Sequence, residues 1–172
     1  PGLPSLLAET ASLADGTIAS IRDLVGSLDA PLFRPGGLEP AVRQLAFQLG
    51  RSGCTLSVDA AGLAGMRPSR ATEVCAFRVV QEAVTNAVRH AAPCRIEVRL
   101  EGRPDGLAVS VCDDGPGAGA AREGHGLRGM RERVTLLGGT LTVRSTGGGF
   151  AVTALVPWLP EEPPRPEEDL HG

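Results

Sequence analysis

The sequence predicts an α/β fold, a two-layer sandwich in which helices cover one face of a mixed β-sheet. Residues 77–91 place apolar side chains on one stripe at a helical period, as in a helix that lies on a sheet. Residues 95–100 alternate charged and apolar side chains, which is typical of an antiparallel strand with one solvated face. The patterns follow one another as helix, helix, strand, helix, two strands, helix and two strands. This order predicts helices packed on a sheet.

Composition indicates a globular domain with no general charge-driven attraction to polyanions. At 172 residues the chain is long enough for one domain with its own core. Its hydrophobic share of 42% and aromatic share of 3% predict a core of aliphatic side chains. A net charge of −3 gives no general attraction to nucleic acid or to an anionic membrane, and all 17 basic residues are Arg. No apolar run is long enough to span a membrane, so we expect no direct membrane contact.

The four cysteines are far apart in sequence and form no Cys-x-x-Cys pair. This spacing predicts reduced, mostly buried thiols rather than a disulfide framework or a zinc site. They are Cys54, Cys75, Cys94 and Cys112.

The sequence divides into four segments. Residues 5–29, within a first segment 1–30, have an apolar seam that repeats every seven residues and predicts an amphipathic helix. Such a seam favours a partner helix, although a terminal helix packed on its own domain remains an alternative. Residues 31–37 contain helix-breaking Pro and Gly and predict a linker, and residues 38–157 carry the globular pattern. The acidic, Pro-rich residues 158–172 predict a disordered tail.

The first half of the globular segment predicts two helices and one strand. Apolar residues at a helical spacing predict a helix over residues 38–51, and the alternation at 54–58 predicts the first strand. Ser69 is the predicted N-cap of the long helix, with Glu73 in position for a capping contact. Pro93 marks the end of that helix.

The second half predicts four strands and a short helix. Residues 95–100 and 107–111 are predicted strands separated by a turn rich in Gly, Pro and Asp. A short helix is expected at 127–137, and residues 140–145 and 150–155 predict a closing hairpin.

Three stretches carry residues suited to chemistry. The long helix has a second, polar stripe that brings together an acid, a carboxamide and cations: Arg78, Glu82, Thr85, Asn86 and Arg89. Residues 111–117 read Val-Cys-Asp-Asp-Gly-Pro-Gly, and residues 124–134 form a second glycine-containing motif. Their spacing is suitable for one nucleotide site.

These three stretches resemble the N, G1 and G2 boxes of the GHKL ATPases, which include gyrase, Hsp90, MutL and the ATPase domains of histidine kinases. The variants at 81–91 and 129–134 look most like sensor histidine kinases that serve NarL-type response regulators. The resemblance covers roughly residues 8–157 and implies a Bergerat fold preceded by a single dimerisation-type helix. It implies that segment 1–30 holds the second helix of a dimerisation and phosphotransfer hairpin. The helix with the phosphoacceptor His would precede Pro1, so we expect the chain to be a fragment.

The resemblance assigns roles to residues on the long helix. Asn86 is the expected Mg²⁺ ligand and a catalytic residue. Glu82 is the second catalytic residue, which either supports the metal or deprotonates the acceptor. Arg89 and His90 are expected at the phosphates of ATP, although a His at the end of a helix can equally have no role.

The glycine motifs are expected to hold the base and the phosphates. Asp113 would accept the exocyclic amine of adenine, with a turn-forming Asp as the alternative, and Asp114 is the expected turn residue of the pair. Gly115 and Gly117 would let the backbone approach the base. The backbone N–H groups at the second motif would bind phosphate. They belong to Gly124, His125, Gly126 and Leu127, and residues 118–123 would form a short lid.

The resemblance therefore implies the ATP-binding catalytic domain of a dimeric sensor histidine kinase. It would transfer the γ-phosphoryl group of Mg-ATP to a His on the missing helix and then to an Asp of a NarL-type response regulator. The alternative is an anti-sigma-factor-like GHKL protein that sequesters a partner and phosphorylates a Ser. No nucleic acid is expected as a partner. The expected location is the cytoplasm, which includes the cytoplasmic part of a membrane-anchored sensor.

Overall fold

The structure is a computed structural model, and it describes the chain in five stretches. These are residues 37–48, 53–91, 94–117, 124–146 and 148–159. The predicted N-terminal helix, the linker before residue 37, the lid at 118–123 and the tail from residue 160 lie outside the described residues.

The described residues form three helices and five strands in the predicted order. In chain order they are α1 (Leu38–Gln48), β1 (Thr55–Gly62), α2 (Arg70–Ala91), β2 (Arg95–Arg103), β3 (Gly106–Asp113), α3 (His125–Leu136), β4 (Thr140–Thr146) and β5 (Gly149–Pro157). The strands form one sheet in the order β1-β2-β3-β5-β4. β1 and β2 are parallel, and the other neighbours are antiparallel, so the predicted mixed sheet is confirmed.

All three helices pack on one face of this sheet. α2 lies across β2, β3 and β5, with α1 and α3 beside it. The alternation in β2 explains the layering, because Ile96, Val98 and Leu100 point into the core while the residues between them are exposed. The two-layer prediction is therefore confirmed. No helix in the described stretches is long and apolar enough to cross a membrane.

Side-chain hydrogen bonds fix the first turn of α2. Ser69 Oγ accepts the N–H of Thr72 at 3.3 Å, which confirms Ser69 as the N-cap. Thr72 Oγ1 lies 3.0 Å from Ser69 Oγ and donates to the carbonyl of Pro157 at 2.9 Å. This buried pair ties the beginning of α2 to the end of β5.

Glu73 makes a capping contact, but with α1 rather than with its own helix, so this part of the prediction was wrong. The Glu73 carboxylate accepts the backbone N–H of Leu38 and so caps α1 instead of its own helix. A capping box places the acid three residues after the N-cap, and that position is Thr72. Glu73, one residue further, points sideways to α1, where its Oε1 would lie 3.0 Å from a Cβ at Gly37.

Candidate nucleotide-binding site

An open pocket of about 340 Å³ lies between the second half of α2, the end of β3 and the beginnings of α3 and β5. This volume lies within the range of small-molecule sites, roughly 300–1,000 Å³. The lining residues come from all three motifs: Asn86, Ala87, His90, Ala91, Asp113, Pro116, Gly117, Gly124, Gly126, Leu127 and Phe150. The structure thus brings together stretches that are separated by tens of residues in sequence.

Seven of the predicted site residues line this pocket, and four do not. Gly115 is buried beside it, and Glu82 lies one helical turn before Asn86. Arg89 and His125 are exposed and are absent from the lining. Their expected contacts with phosphate stay predictions.

Gly126 is the point at which α3 approaches α2. A Cβ at this position would overlap the carboxylate of Glu82 and would lie 3.4 Å from Asn86 Nδ2. The missing side chain therefore lets the first turn of α3 sit against the polar stripe of α2. Glu82 and Asn86 are both half-buried on this stripe, and Asn86 lines the pocket.

The two neighbouring aspartates have different roles. Asp113 Oδ1 accepts the N–H of Gly115 at 3.0 Å, and the half-buried side chain lines the pocket. Asp114 Oδ1 accepts the N–H of Arg95 at 2.6 Å, while the Asp114 N–H donates to the Arg95 carbonyl at 3.2 Å. Asp114 thus ties the end of β3 to the beginning of β2. The turn role predicted for Asp114 was wrong, because Asp113 makes the turn bond.

The first glycine motif depends on small residues and on backbone conformation. A Cβ at Gly115 would overlap the Ala91 side chain at the end of α2. Gly117 has a φ of +71°, a conformation that other residues rarely adopt. The motif can therefore turn away from β3 and close one side of the pocket.

The N-terminus of α3 lies at the pocket, where Gly124, Gly126 and Leu127 line it. Its N-cap, Gly124, makes no side-chain hydrogen bond, and the first turn contains no acidic residue. The backbone N–H groups of the first turn and the helix dipole favour an anion here. Two arginines of the same helix have contacts elsewhere. Arg128 pairs with Glu132 at 2.8 Å, and Arg131 donates to the Leu141 carbonyl at 3.1 Å.

Four lining residues were not predicted as site residues: Ala87, Ala91, Pro116 and Phe150. The register of β3 and β5 places Phe150 opposite Asp113. Phe150 could have been recognised as a site residue only if the pairing of the closing hairpin with β3 had been predicted. The two alanines lie on α2 four residues apart, one turn of helix, and their small side chains leave room for a ligand.

The comparisons with known sequences point to one family of ATPases. The family model described as "Histidine kinase-, DNA gyrase B-, and HSP90-like ATPase" matches residues 72–161. Sensor histidine kinase MctS of Rhizobium johnstonii is 31% identical over 150 residues, which are 83% of this chain and 32% of that protein. The nitrate/nitrite sensor protein NarQ of Escherichia coli is 40% identical over 87 residues, which are 48% of this chain and 15% of NarQ. The chain spans about a third or less of these relatives.

Solved structures with the same fold are also histidine kinase domains. The histidine kinase domain of the blue-light activated kinase EL346 from Erythrobacter litoralis superposes with a TM-score of 0.60 and 26% identity. The match covers 71% of this chain and 61% of that one. The Acinetobacter baumannii histidine kinase AdeS has a TM-score of 0.60 at 18% identity, covering 93% of this chain and 87% of AdeS, and shares the fold.

Proposed function

The chain belongs to the family of histidine kinase-, DNA gyrase B- and HSP90-like ATPases, and we propose that it is the ATP-binding catalytic module of a two-component sensor histidine kinase. The proposal depends on one observation, the convergence of Asp113, Asn86 and the uncapped N-terminus of α3 on a single pocket. These groups are a hydrogen-bond acceptor, an oxygen ligand and an anion site. A nucleotide triphosphate with a divalent cation needs all three.

Asp113 is the residue proposed to select adenine. Because Oδ1 is held by the Gly115 N–H, the carboxylate has a fixed orientation toward the pocket. A carboxylate accepts the exocyclic amine of adenine, whereas guanine presents a carbonyl oxygen in the same place and would repel it. Ala87, Ala91 and Phe150 supply apolar surface for the base.

The α3 N-terminus and the polar stripe of α2 are proposed to hold the phosphates and Mg²⁺. No group of three or more acidic, His or Cys side chains that could hold a metal exists in the described part of the chain. Mg²⁺ fits this arrangement, since it is usually bound through one or two protein oxygens and substrate phosphates. Asn86 would provide the carbonyl ligand, and the bound ion would neutralise phosphate charge. Glu82, one turn earlier, would support the ion or accept the proton of the acceptor imidazole.

The remaining chemistry is positioning. The phosphoryl group would pass from ATP to a His and then to an Asp of a response regulator of the NarL type, within a homodimer in the cytoplasm. Such transfer depends on alignment and charge stabilisation rather than on covalent chemistry by the module. The relative MctS is named a sensor histidine kinase and the EL346 domain a histidine kinase domain, which favours this function over the anti-sigma alternative.

Calorimetry with ATP, ADP and GTP, with and without Mg²⁺, tests the nucleotide site. We expect ATP to bind at least tenfold more tightly than GTP, a difference of about 1.4 kcal/mol. Asn86→Ala should remove the Mg²⁺ dependence of ATP binding and retain ADP affinity without the metal. Thr85→Ala, on the same helix with its hydroxyl bonded to the Gln81 carbonyl, is the matched control and should behave as wild type. Equal affinity for ATP and GTP would exclude the adenine assignment.

The transfer step is tested in the full-length protein with γ-labelled ATP, followed by acid treatment, which cleaves phosphohistidine and leaves phosphoserine. Acid-labile label that is lost in Asn86→Ala supports the kinase. Acid-stable label on a Ser of a partner protein would support the anti-sigma alternative instead.

A further inference from the structure

Two cysteines that are distant in sequence meet beneath the sheet edge. Cys54 precedes β1 and Cys94 precedes β2, and their Sγ atoms lie 2.9 Å apart. Both residues are buried, with 6% and 7% of their surface exposed. The other two thiols, Cys75 and Cys112, are not part of this contact. The nucleotide site uses neither member of the pair.

The backbone places the two cysteines side by side, at a strand spacing that is compatible with a disulfide. β1 and β2 are parallel, Thr55 pairs with Arg95, and the Thr55 N–H donates to the Cys94 carbonyl at 3.0 Å. Neighbouring strands lie about 4.8 Å apart, which is within the roughly 4.4–6.8 Å between Cα atoms that a disulfide spans. A bond between the sulfurs therefore requires no movement of one strand relative to the other.

We propose that Cys54 and Cys94 are a redox modification site, at which a hydroperoxide converts the two thiols into an intramolecular disulfide. The Cys54 sulfur, as thiolate, attacks hydrogen peroxide, forming an S–O bond as the O–O bond breaks and hydroxide leaves. The Cys94 sulfur then displaces hydroxide from this sulfenic acid and forms the S–S bond. The two thiols lose two electrons and two protons, and the peroxide becomes two water molecules.

In the proposed order Cys94 reacts second, because its sulfur is held 2.9 Å from that of Cys54. Burial raises the pKa of the Cys94 thiol to about 12, with the neighbouring Cys54 thiol and the carboxylates of Asp113 and Asp114 adding to the effect. Its thiolate is therefore scarce at neutral pH, and it reacts with the adjacent sulfenic acid because that group is held in contact. The contact between the two sulfurs, rather than the reactivity of either thiol, determines that these two cysteines form the disulfide.

The disulfide would close a loop of the chain that contains part of the nucleotide site. The two cysteines are 40 residues apart, and the loop between them contains β1 and the whole of α2. α2 carries Asn86 and Glu82. A disulfide restricts the unfolded chain over this loop, so the oxidised protein should be more stable against unfolding than the reduced protein.

Peptide mapping of the wild-type protein tests the proposal. The reduced chain is treated with hydrogen peroxide, the remaining thiols are alkylated under denaturing conditions, and the digest is analysed by mass spectrometry. We expect one Cys54–Cys94 linked peptide, a protein mass lower by two hydrogen atoms, and a Tm raised by about 10 °C. Dithiothreitol should reverse all three changes.

Two variants and one competing result complete the test. Cys94→Ser should abolish the linked peptide and the Tm increase, whereas Cys112→Ser should keep both. The proposal is overturned if Cys54 and Cys94 remain alkylatable under conditions that oxidise the half-buried Cys112. A linked peptide that contains Cys75 or Cys112 would overturn it as well. No nucleotide enters these measurements, so they stand or fall separately from the ATP assignment.

Discussion

Asp113 and Asp114 show how two identical side chains acquire separate roles from their hydrogen bonds. Asp113 turns its carboxylate to the pocket and is steadied by one N–H, while Asp114 joins two strands. The motif alone identifies Asp113 as the residue nearest the strand end. The motif does not indicate that Asp114 joins two strands, because the partner of Asp114 is Arg95, which lies 19 residues earlier in the chain.

We expect Asp113→Asn to weaken ATP binding by about tenfold to a hundredfold, since a hydrogen bond to a charged acceptor contributes ~1.5–3 kcal/mol. The amide of Asn can also turn its own donor toward the adenine amine. Isothermal titration with ATP and GTP measures the effect, and the preference for ATP should fall with the affinity. Asp105→Asn is the control for charge, because Asp105 is exposed in the turn between β2 and β3. Wild-type affinity in Asp113→Asn would contradict the assignment.

At the scale of elements, the site depends on how closely α3 can approach α2. Gly126 makes this approach possible, since any side chain there would meet Glu82 and Asn86. Gly129 lies on the same helix, about one turn later, and a Cβ at that position would meet no atom of another element within 4 Å. Comparing an alanine substitution at each glycine therefore distinguishes the effect of packing against α2 from the effect of helix propensity.

Gly126→Ala should lower ATP affinity at least tenfold, because the added methyl group overlaps the Glu82 carboxylate, so that either this side chain or the first turn of α3 must shift at the pocket. Gly129→Ala should bind ATP as wild type does and be more stable by up to about 1 kcal/mol, since Ala favours a helix over Gly. Titration calorimetry and urea unfolding of both variants provide the measurements. Equal affinity in the two variants would show that the approach of α3 is not needed for binding.

The contact between α1 and α2 should be sensitive to pH through Glu73. Burial raises the pKa of the Glu73 carboxyl, although the Leu38 N–H and Arg70 act in the opposite direction. Because the pKa in the folded state is above the unfolded value, the contribution of Glu73 to stability is fully present below the ordinary pKa of 4.5. It is lost as the pH rises through the folded pKa.

Glu73→Gln retains an acceptor for the Leu38 N–H and removes the titration. We therefore expect the stability of Glu73→Gln relative to wild type to rise between pH 4 and pH 7, roughly the window set by the unfolded pKa. Glu73→Ala removes the cap and should lose about 1 kcal/mol of unfolding free energy at either pH. Urea unfolding at the two pH values measures both effects. If the difference in unfolding free energy between Glu73→Gln and wild type is the same at both pH values, the raised pKa of Glu73 is refuted.

At the scale of the molecule, the sequence predicted the succession of elements and the closing hairpin of β4 and β5, but not the pairing of β1 with β2 or of β3 with β5. Periodicity reports which residues of a strand are buried, and it carries no information about the neighbouring strand. The parallel pair β1 and β2, and with it the meeting of Cys54 and Cys94, follows only from the register. β1 also continues to Gly62, beyond the strand predicted at residues 54–58, because pairing with β2 resumes there after a register shift.

The single Trp lies at the end of the sheet opposite the pocket. Trp158 Nε1 donates to the Arg103 carbonyl at 2.7 Å and ties the end of β5 to the turn between β2 and β3. Trp158→Phe should lose about 1 kcal/mol of unfolding free energy and leave ATP affinity unchanged. Circular dichroism in urea and titration calorimetry measure the two quantities. A loss of affinity in this variant would show that the two ends of the sheet are coupled.

The two ends of α2 have different tasks, so natural selection can act on each end independently. Ser69, Thr72 and Glu73 at its beginning anchor the helix to β5 and α1, whereas Asn86 and His90 near its end face the pocket. Inherited changes at the anchored end can adapt the protein to a warmer or colder habitat without altering its ligand. Changes at the other end can alter the ligand while the domain still folds. A single helix thus lets heat tolerance and specificity evolve separately.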